Sequence, residues 1–168
     1  MKRGVVGRGG QPPRRVAVGL AAVAVLAVTS VFAATGATAH GLKHHAKPTV
    51  QIAHTAVGPL LVNQSDRTIY MFVRDKRNKD KCRKIQHGRC EKKWPAVTTT
   101  GKPVAGPGVK KSLLGTIPYQ GKLREVTYKG YPLHTYTGDT GKRDVLNIGI
   151  REFGGPWYAL NAHGGLIK

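Results

Sequence analysis

The chain has 168 residues, with 22 glycines, 10 prolines and 7% aromatic residues, which bounds it to one domain, with at most an appendage, around a modest core. Its 28 basic residues against eight acidic ones give a net charge of +20, a balance that draws polyanions and anionic surfaces and says nothing about fold. So few carboxylates leave no evident acid–base pair, and nucleophile-elbow, HExxH, phosphate-loop and CxxC signatures are absent.

Residues 1–39 read as a signal peptide or membrane anchor. Lys2, Arg3, Arg8, Arg14 and Arg15 form a positive leader, residues 16–34 an uncharged, mostly apolar run, and Ala37-Thr38-Ala39 a small-x-small cleavage pattern. The run is about long enough to cross a bilayer, so cleavage near Ala39 is expected with a retained anchor as the alternative. Arg14-Arg15 reads as part of the leader rather than as a twin-arginine signal. Without cysteine here, a lipidated N-terminal cysteine is excluded from this segment. The remainder is expected outside the cytoplasm, secreted or held on the outer face of the plasma membrane. It carries 23 basic against eight acidic residues, a net charge of +15.

Residues 40–55 are expected to be a His-rich tether followed by a first strand. His40, His44, His45 and His54 invite metal binding, and cleavage after Ala39 would put His40 at an amino terminus able to chelate copper. A rigid third ligand is missing, so the tether reading is preferred.

Residues 56–168 are expected to form a β-rich domain of two hairpin-based repeats, at about 60–98 and 114–160. In the first, Leu61-Val62 leads into the turn 63–66 and then Thr68-Ile69-Tyr70-Met71-Phe72, ending at Asp75. Alternation puts Tyr70 and Phe72 on one strand face and Ile69 and Met71 on the other. Asp75 falls at the strand's end, where a carboxylate can accept backbone N–H groups and lock the next loop.

That loop, 74–93, is the charge centre. It holds Arg74, Lys76, Arg77, Lys79, Lys81, Arg83, Lys84, Arg89, Lys92 and Lys93 against three acidic residues, a net charge of +7. Within it lie the only cysteines, Cys82 and Cys90, which in an exported protein are expected to form a disulfide. The alternative, a metal site with His87, supplies three ligands where a closed zinc site needs four. The basic loop is either a solvated face or a docking patch for anionic lipids or wall polymers.

Strands are expected near 50–56, 96–99, 114–119 and 157–160, with turns at 154–156 and 162–165. No convincing helical period follows residue 40, a short helix near the cysteines being the one exception allowed. The second repeat runs Val126-Thr127-Tyr128, the turn Lys129-Gly130, then Tyr131 to Tyr136, and ends at Asp139. At an offset of 64, Tyr70 matches His134, Phe72 matches Tyr136 and Asp75 matches Asp139. Trp94 follows the first copy by 19 residues and Trp157 the second by 18. These eight residues are read first as scaffold and alternatively as a ligand site.

The ordered set of Tyr70, Phe72, Asp75, the paired cysteines, Trp94-Pro95, residues 113–116, residues 128–133, Gly138-Asp139 and Trp157-Tyr158 resembles the bacterial "secreted repeat of unknown function" lipoprotein family, typified by a Tyr-x-aromatic-x-x-Asp motif. The resemblance spans about residues 56–163. It implies tandem repeats, export and an envelope location, with no established activity. The lipidated cysteine of that family is absent, and His134 stands in place of its tyrosine in the second copy.

The expected function is therefore a non-enzymatic envelope protein that binds anionic membrane lipids or cell-wall polymers through residues 74–93. Its alternative is an extracytoplasmic metal- or redox-related binding protein. No catalytic residue, cofactor, metal ligand or small-molecule substrate is assigned. Nucleic acid is argued against by the export signal and by aromatics that do not interleave with the basic run.

Overall fold

The structure, a computed structural model, describes residues 47–168. The leader, the cleavage pattern and His40, His44 and His45 lie outside the described residues. The described chain is mainly β, built of antiparallel sheets with one short α-helix. Strands β1 (Val50–Thr55) and β2 (Gly58–Asn63) pair as a hairpin, Val50 facing Asn63 and Thr55 facing Gly58. Leu60, Leu61 and Val62 are all fully buried. Leu60 and Val62 enter one core cluster and Leu61 another, so β2 carries a continuous apolar run rather than an alternation.

After a turn comes β3 (Tyr70–Phe72). Asn63 makes that turn, its Oδ1 accepting the N–H groups of Ser65 and Arg67 at 2.9 and 3.0 Å. Next are an irregular 3-10 stretch (Cys82–Gly88) and the helix α1 (Arg89–Lys93). Strands β4 (Thr98–Thr99), β5 (Leu114–Pro118), β6 (Arg124–Tyr128) and β7 (Tyr131–Pro132) make a second sheet centred on β6. Lys129 and Gly130 close the β6–β7 hairpin with φ of 53° and 85°. Two successive positive φ values are what a two-residue primed turn demands, and glycine supplies the second without steric cost. Strands β8 (Arg151–Glu152), β9 (Gly155–Leu160) and β10 (Leu166–Ile167) complete a third sheet with β3.

The two motif copies are adjacent in sequence and exchanged in space. The motif strand of the first copy pairs with the tryptophan strand of the second: Tyr70 faces Ala159 and Phe72 faces Trp157. Reciprocally, His134 of the second copy bridges Ala96, two residues past Trp94 as Ala159 is two past Trp157. Tyr70 and His134 also bridge each other, each N–H donating to the other's carbonyl at 2.8 and 3.0 Å.

The core repeats this relation. Trp94 and Trp157 stack face to face, centroids 4.0 Å apart and planes 7° apart. Phe72 stacks on the other copy's Trp157 at 4.3 Å, and Tyr136 lies on the other copy's Trp94 at 4.5 Å. Tyr70 and His134 meet their own copy's tryptophan edge-on, at 5.3 and 5.2 Å. Such pairs add about 0.5–1.5 kcal/mol each beyond area burial. The buried disulfide Cys82–Cys90 joins the same cluster. Ile69 and Leu133 sit in the second cluster with Val50, Leu61 and Val126.

Candidate functional site

Each motif aspartate is bonded across the copies. Tyr70 Oη donates to Asp139 Oδ2 at 2.7 Å, and His134 Nε2 meets Asp75 Oδ2 at 2.9 Å. All four residues are buried. The other oxygen of each carboxylate performs the loop-locking role: Asp75 Oδ1 accepts the N–H of Lys81 at 2.7 Å, and Asp139 Oδ1 accepts that of Leu146 at 3.3 Å. Tyr70, Phe72, Asp75, His134, Asp139, Trp94 and Trp157 thus make one interior array, with Tyr136 half-buried at its edge, rather than the walls of an open cleft.

His134 Nδ1 faces the carbonyl of Trp94 at 3.3 Å. Burial pushes the imidazole down, but the hydrogen bond and charge of Asp75, with Glu125 and Asp80 behind it, bring it up to about 9. Burial and the bond to Asp139 push the Tyr70 phenol well above its ordinary range.

The two halves of the array differ chemically. The Ile69 N–H donates to Leu61 O, and the Leu133 N–H donates to Val126 O. Val62 faces Thr68, and Thr127 faces Pro132. The first copy's turn is therefore one residue longer, and Leu60, Leu61 and Val62 correspond to Glu125, Val126 and Thr127. Where the first copy presents Leu60, Val62 and Tyr70, the second presents Glu125, Thr127 and His134. Both Glu125 carboxylate oxygens are buried without a hydrogen-bond partner among the described residues. Burial pushes this carboxyl up to about 8, against the pull of His134 and with Asp80 and Asp75 adding to the rise. Asp80 joins the same half: one of its oxygens, one of Asp75 and a ring nitrogen of His134 all lie within 4.8 Å of one another. Burial raises Asp80 as well. A cation could be held here.

The basic loop lies over this polar half and is tied down at many points. The Asn78 N–H donates to Gly130 O at 2.7 Å, and Arg77 Nη1 to Lys129 O at 2.8 Å. Arg74 Nη1 donates to Phe153 O at 3.0 Å. Arg83 donates to the carbonyls of Pro118 and Tyr119 and lies 4.4 Å over the Tyr119 ring. Tyr119 in turn donates its hydroxyl to Glu91, and burial followed by that bond pushes its phenol up to about 12. Lys93 pairs with Glu152 at 2.5 Å, and Trp94 Nε1 donates to the same carboxylate at 3.0 Å. Arg74, Lys76, Arg77, Lys79, Lys84, Arg89 and Lys92 are exposed, while Lys81, Arg83 and Lys93 are half-buried. Among the described residues, no exposed basic residue of this loop has a carboxylate partner. None of the chain's eight acidic residues is exposed: Asp75, Glu125 and Asp139 are buried and the others half-buried.

Cys82 and Cys90 are paired as their setting suggested, leaving no free thiol; His87 is exposed in their loop. Asp80 and Glu125 are the residues that sequence reasoning passed over. An available signal was the match of Asp80 to Asp144 at the same offset of 64; Glu125 needed the register shift of the longer turn. No family model matches this chain, and neither a curated protein nor a solved structure is found similar to it.

Proposed function

We propose that this protein is an exported, non-enzymatic module of the cell envelope that docks on an anionic surface through residues 74–93. The observation that carries the reading is that positive charge is turned outward and negative charge inward, with the basic residues densest in this loop. All eight carboxylates are turned inward or half-covered, while seven of the ten basic residues of the loop face outward without carboxylate partners. A surface so arranged has no internal neutralisation and attracts polyanions over roughly a Debye length, about 8 Å at physiological salt. The disulfide, the aspartate locks and the carbonyl contacts of Arg74, Arg77 and Arg83 fix the backbone beneath these cations, so little ordering is left for binding to cost.

The positive leader and apolar run support export and proximity to a membrane. The ordered motif set, similar to that of secreted repeat proteins, supports the same location. The buried motif aromatics serve as scaffold in this reading.

Co-sedimentation of the protein with phosphatidylglycerol vesicles, phosphatidylcholine vesicles and a glycerol-phosphate polymer tests it. Binding to an anionic partner that weakens steeply between 0.1 and 0.5 M salt is expected (about 10 to under 5 Å of screening length). Equal binding to phosphatidylcholine, or retention indifferent to salt, contradicts it.

A further inference from the structure

Beneath the docking loop the array carries a feature that surface binding does not need. If the motif residues were scaffold alone, the second copy could be built like the first, with leucine, valine and tyrosine. Instead it places a glutamate, a threonine and a histidine at those three positions, the histidine against Asp75 and Asp80. Glu125 is fully buried, and neither of its oxygens has a partner among the described residues. A buried carboxyl group with no hydrogen-bond partner is costly even when it is held neutral. Ile117 faces Glu125 across β5–β6 and so shares its side of the sheet. That same Ile117 lines, with Asp80, Lys81 and Arg83, a surface pocket of about 480 Å³.

We propose that His134, Asp75 and Asp80, with the unpartnered carboxyl of Glu125 buried nearby, form a binding site for one first-row divalent cation, entered from the pocket at Asp80. The donor set has one imidazole nitrogen and two carboxylates, with Glu125 as further negative charge nearby, which suits manganese, iron(II) or zinc over calcium or a soft, thiolate-seeking ion. The separation of 2.9 Å between His134 Nε2 and Asp75 Oδ2 is that of adjacent ligands about 2.1 Å from the centre of an octahedral site such as manganese takes, whereas tetrahedral zinc would draw them apart to about 3.4 Å. The contact of His134 Nδ1 with the Trp94 carbonyl is the outer hydrogen bond that orients a metal-bound histidine. The Tyr70 half offers no such set, with Leu60 in place of Glu125 and a phenol in place of the imidazole. Asp75 and Asp80 belong to the docking loop, and its Arg74, Lys79 and Lys84 also line the pocket, but cation binding and surface docking are read by different experiments, so either could fail without the other.

The test uses the full chain stripped by a chelator and then titrated with Zn²⁺ and Mn²⁺, with bound metal counted after desalting and thermal unfolding followed in parallel. Wild type is expected to retain one equivalent that raises its Tm. Glu125→Leu, which installs the first copy's residue, and Asp80→Asn are each expected to weaken binding at least tenfold and abolish the Tm rise. His44→Ala/His45→Ala, altering only the tether, is expected to keep it. A Tm rise that survives in Asp80→Asn, or is absent in wild type, overturns the proposal. Should Glu125→Leu fail to fold, Asp80→Asn decides, because its half-exposed side chain tolerates the change.

Discussion

Substituting Tyr70 by phenylalanine tests whether the two motif copies are exchanged in space. The hydroxyl is buried and bonded at 2.7 Å to a carboxylate of the other copy. A hydrogen bond to a charged acceptor contributes about 1.5–3 kcal/mol, and its removal leaves Asp139 with the Leu146 N–H as its remaining hydrogen-bond donor. Tyr70→Phe is therefore expected to cost about 2 kcal/mol, and Asp139→Ala about 3 kcal/mol because it also frees the Leu146 N–H. The double variant should cost about 3 kcal/mol rather than about 5, a coupling of about 2 kcal/mol. By contrast, Tyr70 and Asp75 of the same copy share no hydrogen bond, and their cycle should close to within about 0.5 kcal/mol. Urea unfolding followed by fluorescence of the stacked tryptophans measures all of these. Coupling of Tyr70 to Asp75 with additivity towards Asp139 would mean that each copy closes on itself, and the exchanged arrangement would be refuted.

Three further outcomes follow from the same geometry. Cys82→Ala/Cys90→Ala reopens a short loop and should lower stability by about 2.5 kcal/mol by loop entropy, read as a shifted urea midpoint. In metal-free protein, stability should fall as pH rises from about 5 to 9. His134, lifted from 6.5 to about 9 in the fold, contributes stability that is full below 6.5 and lost on the way up; Glu125, lifted from 4.5 to about 8, acts in the same direction. Flat stability over that window, by thermal melts in chelator, contradicts the assigned burial. Glu125→Leu should raise metal-free stability by about 1–3 kcal/mol at pH 7.5, since it removes a buried, mostly protonated carboxyl group with no hydrogen-bond partner among the described residues, and a loss of stability there would mean that Glu125 has a partner.

Much of the local structure was legible because it is written in short-range rules. Period-two alternation separated Tyr70 and Phe72 from Ile69 and Met71, and these pairs enter different core clusters. Asp75 at a strand end announced a loop lock, which Lys81 N–H fulfils. Lys129-Gly130 announced a tight hairpin. The exchange of the copies was not legible, since a repeat that closes on itself and one that closes on its neighbour have the same local pattern. What distinguishes them is a set of contacts about 60–90 residues apart, such as Tyr70 with Asp139 and Phe72 with Trp157. Glu125 was hidden by a single residue of turn length, which offsets the strand before the turn from the motif after it. Asp80 looked like one acid in a basic run, and the fold brings its carboxyl to His134 and Asp75.

The basic loop's role as an outward, unneutralised surface is tested most directly by one titration. Lys76, Lys79, Lys84, Arg89 and Lys92 are replaced together by glutamine, and affinity for phosphatidylglycerol vesicles is compared with wild type at 0.1 M salt. Up to about 1 kcal/mol per cation near an anionic surface leads us to expect at least a hundredfold weaker binding with the melting temperature unchanged. Equal affinity of the two proteins would contradict docking through this loop.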